Sequence, residues 1–175
     1  MKKKKLLWTA AICFSRSKFK ELEKYFFITL APKANKINTV KLLKSDNYDV
    51  WIVDTCPKFY VDETILKHCK SLKQIGSPAT GSTHVDISYI KKSGIKYISI
   101  KDRKVINNIF SSSEHAFGLL LSSIRNIRPG INYALNGKWR GQEEDLRTSE
   151  IYGKNYGLVG FGRIGKNLAR YGLSF

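Results

Sequence analysis

The sequence predicts an α/β fold built on a mostly parallel sheet, and two features predict it. Short apolar runs alternate with amphipathic stretches along the 175 residues, which is the pattern of repeated βαβ units. Late in the sequence an apolar run enters Gly160-Phe161-Gly162-Arg163-Ile164-Gly165 and leaves it as a helical pattern. That strand–turn–helix order suits a nucleotide's phosphates. The composition permits such a fold: 42% of residues are hydrophobic, with nine Phe and nine Tyr, enough for a packed core rather than a disordered chain.

Each element follows from local pattern. Leu6–Ala11 and Val50–Val53 read as buried strands, and Lys18–Phe26 as a helix with Phe19, Leu22 and Phe26 on one face. Thr39–Leu43 and Glu63–Cys69 read as short helices, and Leu72–Ile75 as a strand entering the loop "GSPATGSTH". Val85–Ser93 reads as a helix closed by Gly94, and Tyr97–Ile100 as a further strand. The longest helix is expected in "SSSEHAFGLLLSSIRNI", with Ser111 and Glu114 at capping-box spacing. Arg125 and Arg128 sit towards its negative end, and Pro129-Gly130 marks its stop or kink. "NGKWRGQEEDLRTSE" is polar and loop-like, and Tyr156–Val159 is the strand before the glycine turn. The change of character across Lys101–Ile109 places a domain boundary there, giving domains 1–104 and 105–175.

In the glycine turn, Gly160 permits a sharp bend and Gly162 leaves room for a pyrophosphate. Gly165 lets helix and strand approach. The backbone N–H groups of Gly162 to Ile164 then face the phosphates from the positive end of the helix. A turn needed only for packing is the alternative. NAD and NADP are not separated, because the acidic residue that would bind the ribose hydroxyls is expected about 20 positions further on.

The totals exclude several classes. A net charge of +17 invites nucleic acid or anionic membrane, but Lys is scattered and only Met1–Lys5 forms a run. No helix-turn-helix or finger pattern accompanies it, so nucleic acid is disfavoured as a partner. Leu6–Phe14 after the lysines resembles a short signal sequence, but Arg16, Lys18 and Lys20 follow without an A-x-A-like site. A first buried strand explains it better, and no segment is long enough to span a bilayer. Cys13, Cys56 and Cys69, odd in number and without CxxC spacing, read as reduced, mostly buried thiols of a cytoplasmic protein. His68, His84 and His115 show no metal-ligand spacing with them, so no metal site is expected.

Three ordered segments resemble the D-isomer-specific 2-hydroxyacid dehydrogenases, in particular phosphoglycerate-dehydrogenase-like members. "LKQIGSPATGSTHVDISYIKKSGIKYISI" is similar to the family's substrate-domain loop, helix and strand. "SSSEHAFGLLLSSIRNI" is similar to its interdomain helix, and "GKWRGQEEDLRTSEIYGKNYGLVGFGRIGKNLARYG" to its Gly-Lys-Trp arm and nucleotide fingerprint. The resemblance implies a flavodoxin-like substrate domain, incomplete here, followed by the first βα unit of a Rossmann NAD-binding domain, with the active cleft between them. It implies an oxidoreductase that moves hydride between NAD and a small 2-hydroxy or 2-keto acid, usually as a homodimer.

Residue by residue, the resemblance assigns Gly160, Gly162, Arg163, Ile164 and Gly165 to the pyrophosphate, and Thr80 to the nicotinamide end of the cofactor. Ser77, Ala79, Thr80 and Gly81 fall on the loop whose backbone faces the substrate carboxylate. Many members carry arginine where Ser77 stands. Glu114 and His115 are read as a helix cap and a partly buried imidazole rather than as catalytic groups. The family's catalytic arginine, histidine and orienting carboxylate lie beyond the fingerprint helix and have no counterpart in this sequence. The expectation is therefore a chain with weak NAD binding and no hydride transfer alone. The alternatives are one half of a split enzyme, paired with a separate C-terminal half, or a non-enzymatic interaction module.

Overall fold

The computed structural model describes residues 3–11, 16–56, 58–138, 140–141 and 143–175. Cys13, the end of the signal-like run and Trp139 of the Gly-Lys-Trp arm lie outside the described residues. The chain divides into two compact units, Met1–Asp102 and Arg103–Phe175.

The first unit is a five-stranded parallel sheet. Its strands are β1 (Lys4–Trp8), β2 (Phe26–Leu30), β3 (Val50–Ile52), β4 (Gln74–Ser77) and β5 (Lys96–Ser99). The order across the sheet is β2-β1-β3-β4-β5, the flavodoxin-like arrangement. Between the strands run α1 (Arg16–Leu22), α2 (Lys36–Ser45), α3 (Glu63–Leu66) and α4 (Ile87–Lys92). Register sets Leu7 beside Trp51, Trp51 beside Ile75 and Ile75 beside Tyr97. That row belongs to the core, with Leu43 of α2, Ile65 and Leu66 of α3 and Ile90 of α4 packed in the same cluster. Leu6 and Val50, one residue out of phase, are also buried, as parallel strands covered on both sides require. The Trp51 indole N–H donates to Thr9 Oγ1 at 3.0 Å, and that hydroxyl donates to the Ile52 carbonyl at 3.1 Å. Side-chain caps start three helices: Asn35 accepts from Asn38 N–H, Asp62 from Thr64 N–H and Asp86 from Tyr89 N–H.

The second unit is helical: α5 (Arg103–Asn107), α6 (Ser111–Ile124), α7 (Ile127–Leu135), α8 (Glu143–Leu146) and α9 (Arg163–Gly172). Phe117 of α6 meets Tyr171 and Phe175 with ring centroids 5.6 Å apart in both cases. Asn167 Nδ2 donates to the buried Ser113 hydroxyl at 3.4 Å.

Several expectations are corrected. The helix read over Lys18–Phe26 ends at Leu22, and Phe26 opens β2, a strand absent from the sequence reading. β2 lies at the sheet edge with Phe27 exposed beneath the Lys3 ammonium, so its inside–outside alternation is blurred. Tyr156–Val159 is not a strand: among the described residues no neighbouring strand pairs with it. The capping box does not form, because Phe110 rather than Ser111 takes the N-cap position, without a side-chain bond. Ser113 instead donates its hydroxyl to the Phe110 carbonyl at 2.7 Å. The break after α6 falls at Asn126, which is left-handed with φ 48°. Pro129 sits inside the first turn of α7, where its missing N–H costs nothing. Part of the loop-like polar stretch forms the short helix α8. Cys56 is exposed, whereas burial pushes the Cys69 thiol up to about 12.

Ile75 is fully buried in β4. Ile75→Ala is expected to destabilise the first unit by about 2–5 kcal/mol, read as a lower urea midpoint.

Candidate functional site

In the first unit the chemistry gathers where the parallel strands end. Ser77 closes β4 and is buried, with its Oγ 2.9 Å from His84 Nε2. Burial holds the His84 imidazole below the ordinary histidine value, and the Asp54 carboxylate partly opposes this. Beyond Ser77 the chain runs outward through half-buried Ala79 to exposed Thr80 and Gly81. Two of the loop's carbonyls are occupied: Ala79 accepts from Ile100 N–H at 3.0 Å, and Gly81 from the Tyr97 hydroxyl at 3.3 Å. Its N–H groups at Ala79, Thr80 and Gly81 find no acceptor among the described residues. A loop with three successive N–H donors free is suited to an anion.

A cavity of about 330 Å³ opens at the ends of β1 and β3, lined by Thr9, Lys33, Asp54, Cys56, Lys58 and Phe59 among others. It lies where the strand order reverses, the usual place for a ligand in an open α/β sheet. The sequence assigns none of these residues to a site. Only the strand order reveals that Thr9 and Asp54 end neighbouring strands.

In the second unit the glycine turn has the shape its spacing implies. Gly160 has φ 94°, a conformation that favours glycine. A Cβ at Gly165 would collide with the Gly160 carbonyl oxygen. A Cβ at Gly162 would meet nothing within 4 Å, so packing does not require glycine there. Gly162 is the N-cap of α9, with no side-chain cap. The N–H groups of Gly162, Arg163 and Ile164 have no acceptor among the described residues. A cleft of about 380 Å³ lies over them, lined by Leu158, Gly160, Gly162, Arg163, Ile164 and Gly165 among others. The free donors and the open space at Gly162 fit a phosphate group. The Arg163 guanidinium turns away and donates to the Ile109 carbonyl, so its contribution to the turn is its backbone N–H. Glu114 and His115 are both exposed on α6. Neither is the helix cap or the partly buried imidazole expected from the sequence. Thr80 belongs to the first unit and the glycine turn to the second.

Among the described residues no group of three or more His, Cys, Asp or Glu is placed to hold a metal ion. No helix there is long and apolar enough to cross a membrane.

A parallel α/β sheet, and a glycine turn opening a helix, are features of nucleotide-binding α/β proteins. Residues 11–107, more than half of the chain, match the catalytic-domain model of the D-isomer specific 2-hydroxyacid dehydrogenases, and residues 117–175 match their NAD binding domain. The chain belongs to this family. A glyoxylate reductase of Pyrococcus furiosus is 28% identical over 159 residues, 88% of this chain and 46% of that protein. A hydroxypyruvate reductase of Thermotoga maritima is 32% identical over 127 residues, 73% of this chain and 39% of that protein. The chain thus spans less than half the length of these relatives. Among solved structures, a D-isomer specific 2-hydroxyacid dehydrogenase from Polaromonas sp. JS6 66 superposes with a TM-score of 0.80 at 19% identity, over 99% of this chain and 53% of that one. The D-lactate dehydrogenase of Aquifex aeolicus, complexed with NAD and lactic acid, gives 0.74 at 23% identity, over 97% and 48%.

The glycines divide into two kinds. Gly165→Ala is expected to loosen α9 by about 1–3 kcal/mol through the backbone collision, whereas Gly162→Ala leaves it intact. Amide exchange of α9 in the two variants checks this.

Proposed function

We propose that this chain supplies two of the three parts of an NAD-dependent 2-hydroxyacid dehydrogenase. These are the loop that takes the substrate carboxylate and the turn that takes the cofactor pyrophosphate. NAD, when bound, accepts or supplies the hydride. The chain's own groups bind and orient. The N–H groups of Ala79, Thr80 and Gly81 receive the carboxylate of a 2-hydroxy or 2-keto acid, with Ser77 beside them. The N–H groups of Gly162, Arg163 and Ile164 receive the pyrophosphate at the positive end of α9, and Thr80 serves the nicotinamide end. The third part, an arginine, a histidine and its carboxylate, comes from a C-terminal half.

The observation that carries this reading is Gly162: a glycine that packing does not need, at an uncapped helix start with free donors. A pyrophosphate explains all three features.

The interaction-module reading has one observation in its favour. Every buried apolar residue among those described belongs to the first unit, while Leu119, Ile131, Leu135, Val159, Phe161 and Leu173 of the second are exposed. An apolar surface left this uncovered is open to a protein partner, and a C-terminal half satisfies both readings.

Co-expression with the C-terminal half of a complete family member is expected to give a complex that oxidises NADH with glyoxylate or hydroxypyruvate. In that complex Gly162→Ala raises the KM for NADH at least tenfold. A stable complex that binds no NADH overturns the dehydrogenase reading and leaves the interaction module.

A further inference from the structure

Ser77 and His84 form a contact that the proposed function does not use. Ser77 is 6% exposed and ends β4 at the base of the donor-rich loop. His84 lies seven residues on, and its Nε2 is 2.9 Å from the Ser77 hydroxyl. The backbone holds the His84 end of this contact. The His84 carbonyl accepts from Val61 N–H at 3.0 Å, and Asp86 N–H returns to the Val61 carbonyl at 2.9 Å. Asp54, beyond β3, is the charged group that acts on the imidazole. Asp62 and Asp86, on the two segments joined by the Val61–Val85 bridge, are turned to their own helix starts at Thr64 and Tyr89.

We propose that His84 is a positioning residue for the carboxylate loop: it sets the direction of the Ser77 hydroxyl proton and so couples anion binding to uptake of a proton. This rests on the reading of Ser77–Gly81 as the carboxylate loop. The chemistry follows from the two ways this contact can be made. When Nε2 carries a lone pair, it accepts the hydroxyl proton of Ser77, and the serine turns only lone pairs towards an incoming carboxylate. When Nε2 carries a proton, it donates to Ser77 Oγ, and the hydroxyl is free to donate to the carboxylate beside the loop's N–H groups. A bound anion therefore favours Nε2–H, and of the two ring forms that carry it the imidazolium also sets a positive charge beside the anion, so it is favoured over the neutral tautomer and takes its extra proton from solvent. The pair adds the Ser77 hydrogen bond to the charge that a fixed positive side chain would supply, and the charge is present only over the pH range where the ring can gain its proton.

The sign follows from the direction of the shift. In the free chain burial keeps His84 neutral to below the ordinary histidine value, so at neutral pH the receptor is weak. Affinity rises as pH falls through the ring's midpoint, by at most about tenfold per pH unit for one linked proton.

The test uses the 175-residue chain and oxamate, an anionic mimic of a 2-keto acid. Binding is followed by NMR of the backbone and the imidazole rings between about pH 5 and 8, where a carboxylate of ordinary pKa is ionised. The expected result is tighter binding at low pH, with the His84 midpoint rising as oxamate saturates. His84→Gln, which keeps a hydrogen-bonding partner for Ser77, is expected to bind oxamate with no pH slope. Ser77→Ala weakens binding and removes the slope. Oxamate binding to the parent chain at Ala79–Gly81 without a slope, or with the same slope in His84→Gln, overturns the role of His84 and leaves the carboxylate loop standing. No oxamate binding, or binding that moves no signal at Ala79–Gly81, overturns both.

Discussion

The structure depends on β1 pairing with two neighbours at once. Its residues face Phe26–Leu30 on one side and Val50–Ile52 on the other, and this places the reversal of strand order beside β1 itself. The row through Leu7, Trp51 and Ile75 then becomes continuous apolar surface, too large to leave in water. The Trp51 indole is the largest group in that row. Its one polar atom is satisfied by Thr9, whose hydroxyl is satisfied in turn by Ile52, so burial there leaves no orphaned donor. Thr9, Asp54 and Ser77 follow from that arrangement: each lies at or just beyond the end of a strand locked in the same register.

The second unit lacks such a constraint. It holds together through an aromatic trio, the Ser113–Asn167 contact and an arginine on a carbonyl, and contributes no apolar residue to the buried set among those described. Its glycine turn nonetheless has a defined shape, because that shape is local. Gly160 takes a left-handed conformation, and Gly165 allows α9 to close on it. A phosphate turn of this kind needs a bend and a helix start more than it needs a finished sheet.

This division explains what the sequence disclosed. The buried strand at Val50 and the glycine turn were legible because their signals are contained in a few neighbouring residues. β2 was missed because an edge strand with Phe27 exposed loses the alternation that marks half-buried strands. The capping box was misread because Ser113, two positions later, is drawn into the interior by Asn167, a partner 54 residues away in sequence that no local pattern announces. Pro129 pointed to a helix stop, but the same residue is welcome in a first turn, and Asn126 decided which applied. Ser77 to Gly81 are legible through resemblance, whereas the contact of His84 with Ser77 and the influence of Asp54 on its ring emerge only from the fold.

Both candidate sites rely on backbone donors rather than charged side chains, and this bears on how far the chain can diverge from its relatives. A guanidinium recognises a carboxylate wherever its side chain reaches, so its loss removes the contact. A backbone donor persists so long as its carbonyl neighbours are occupied and the turn keeps its shape. In the Ser77–Gly81 loop those conditions are met by Ile100 N–H and the Tyr97 hydroxyl, both at or beyond β5 rather than in the loop. In the glycine turn they are met by Gly160 and Gly165. Loop side chains from Pro78 to Gly81 are thereby released from holding the loop, and the strand next to it carries that task. The Lys and Arg excess of this chain sits elsewhere: of the positions proposed to bind, only Arg163 is basic, and its side chain is already engaged with Ile109.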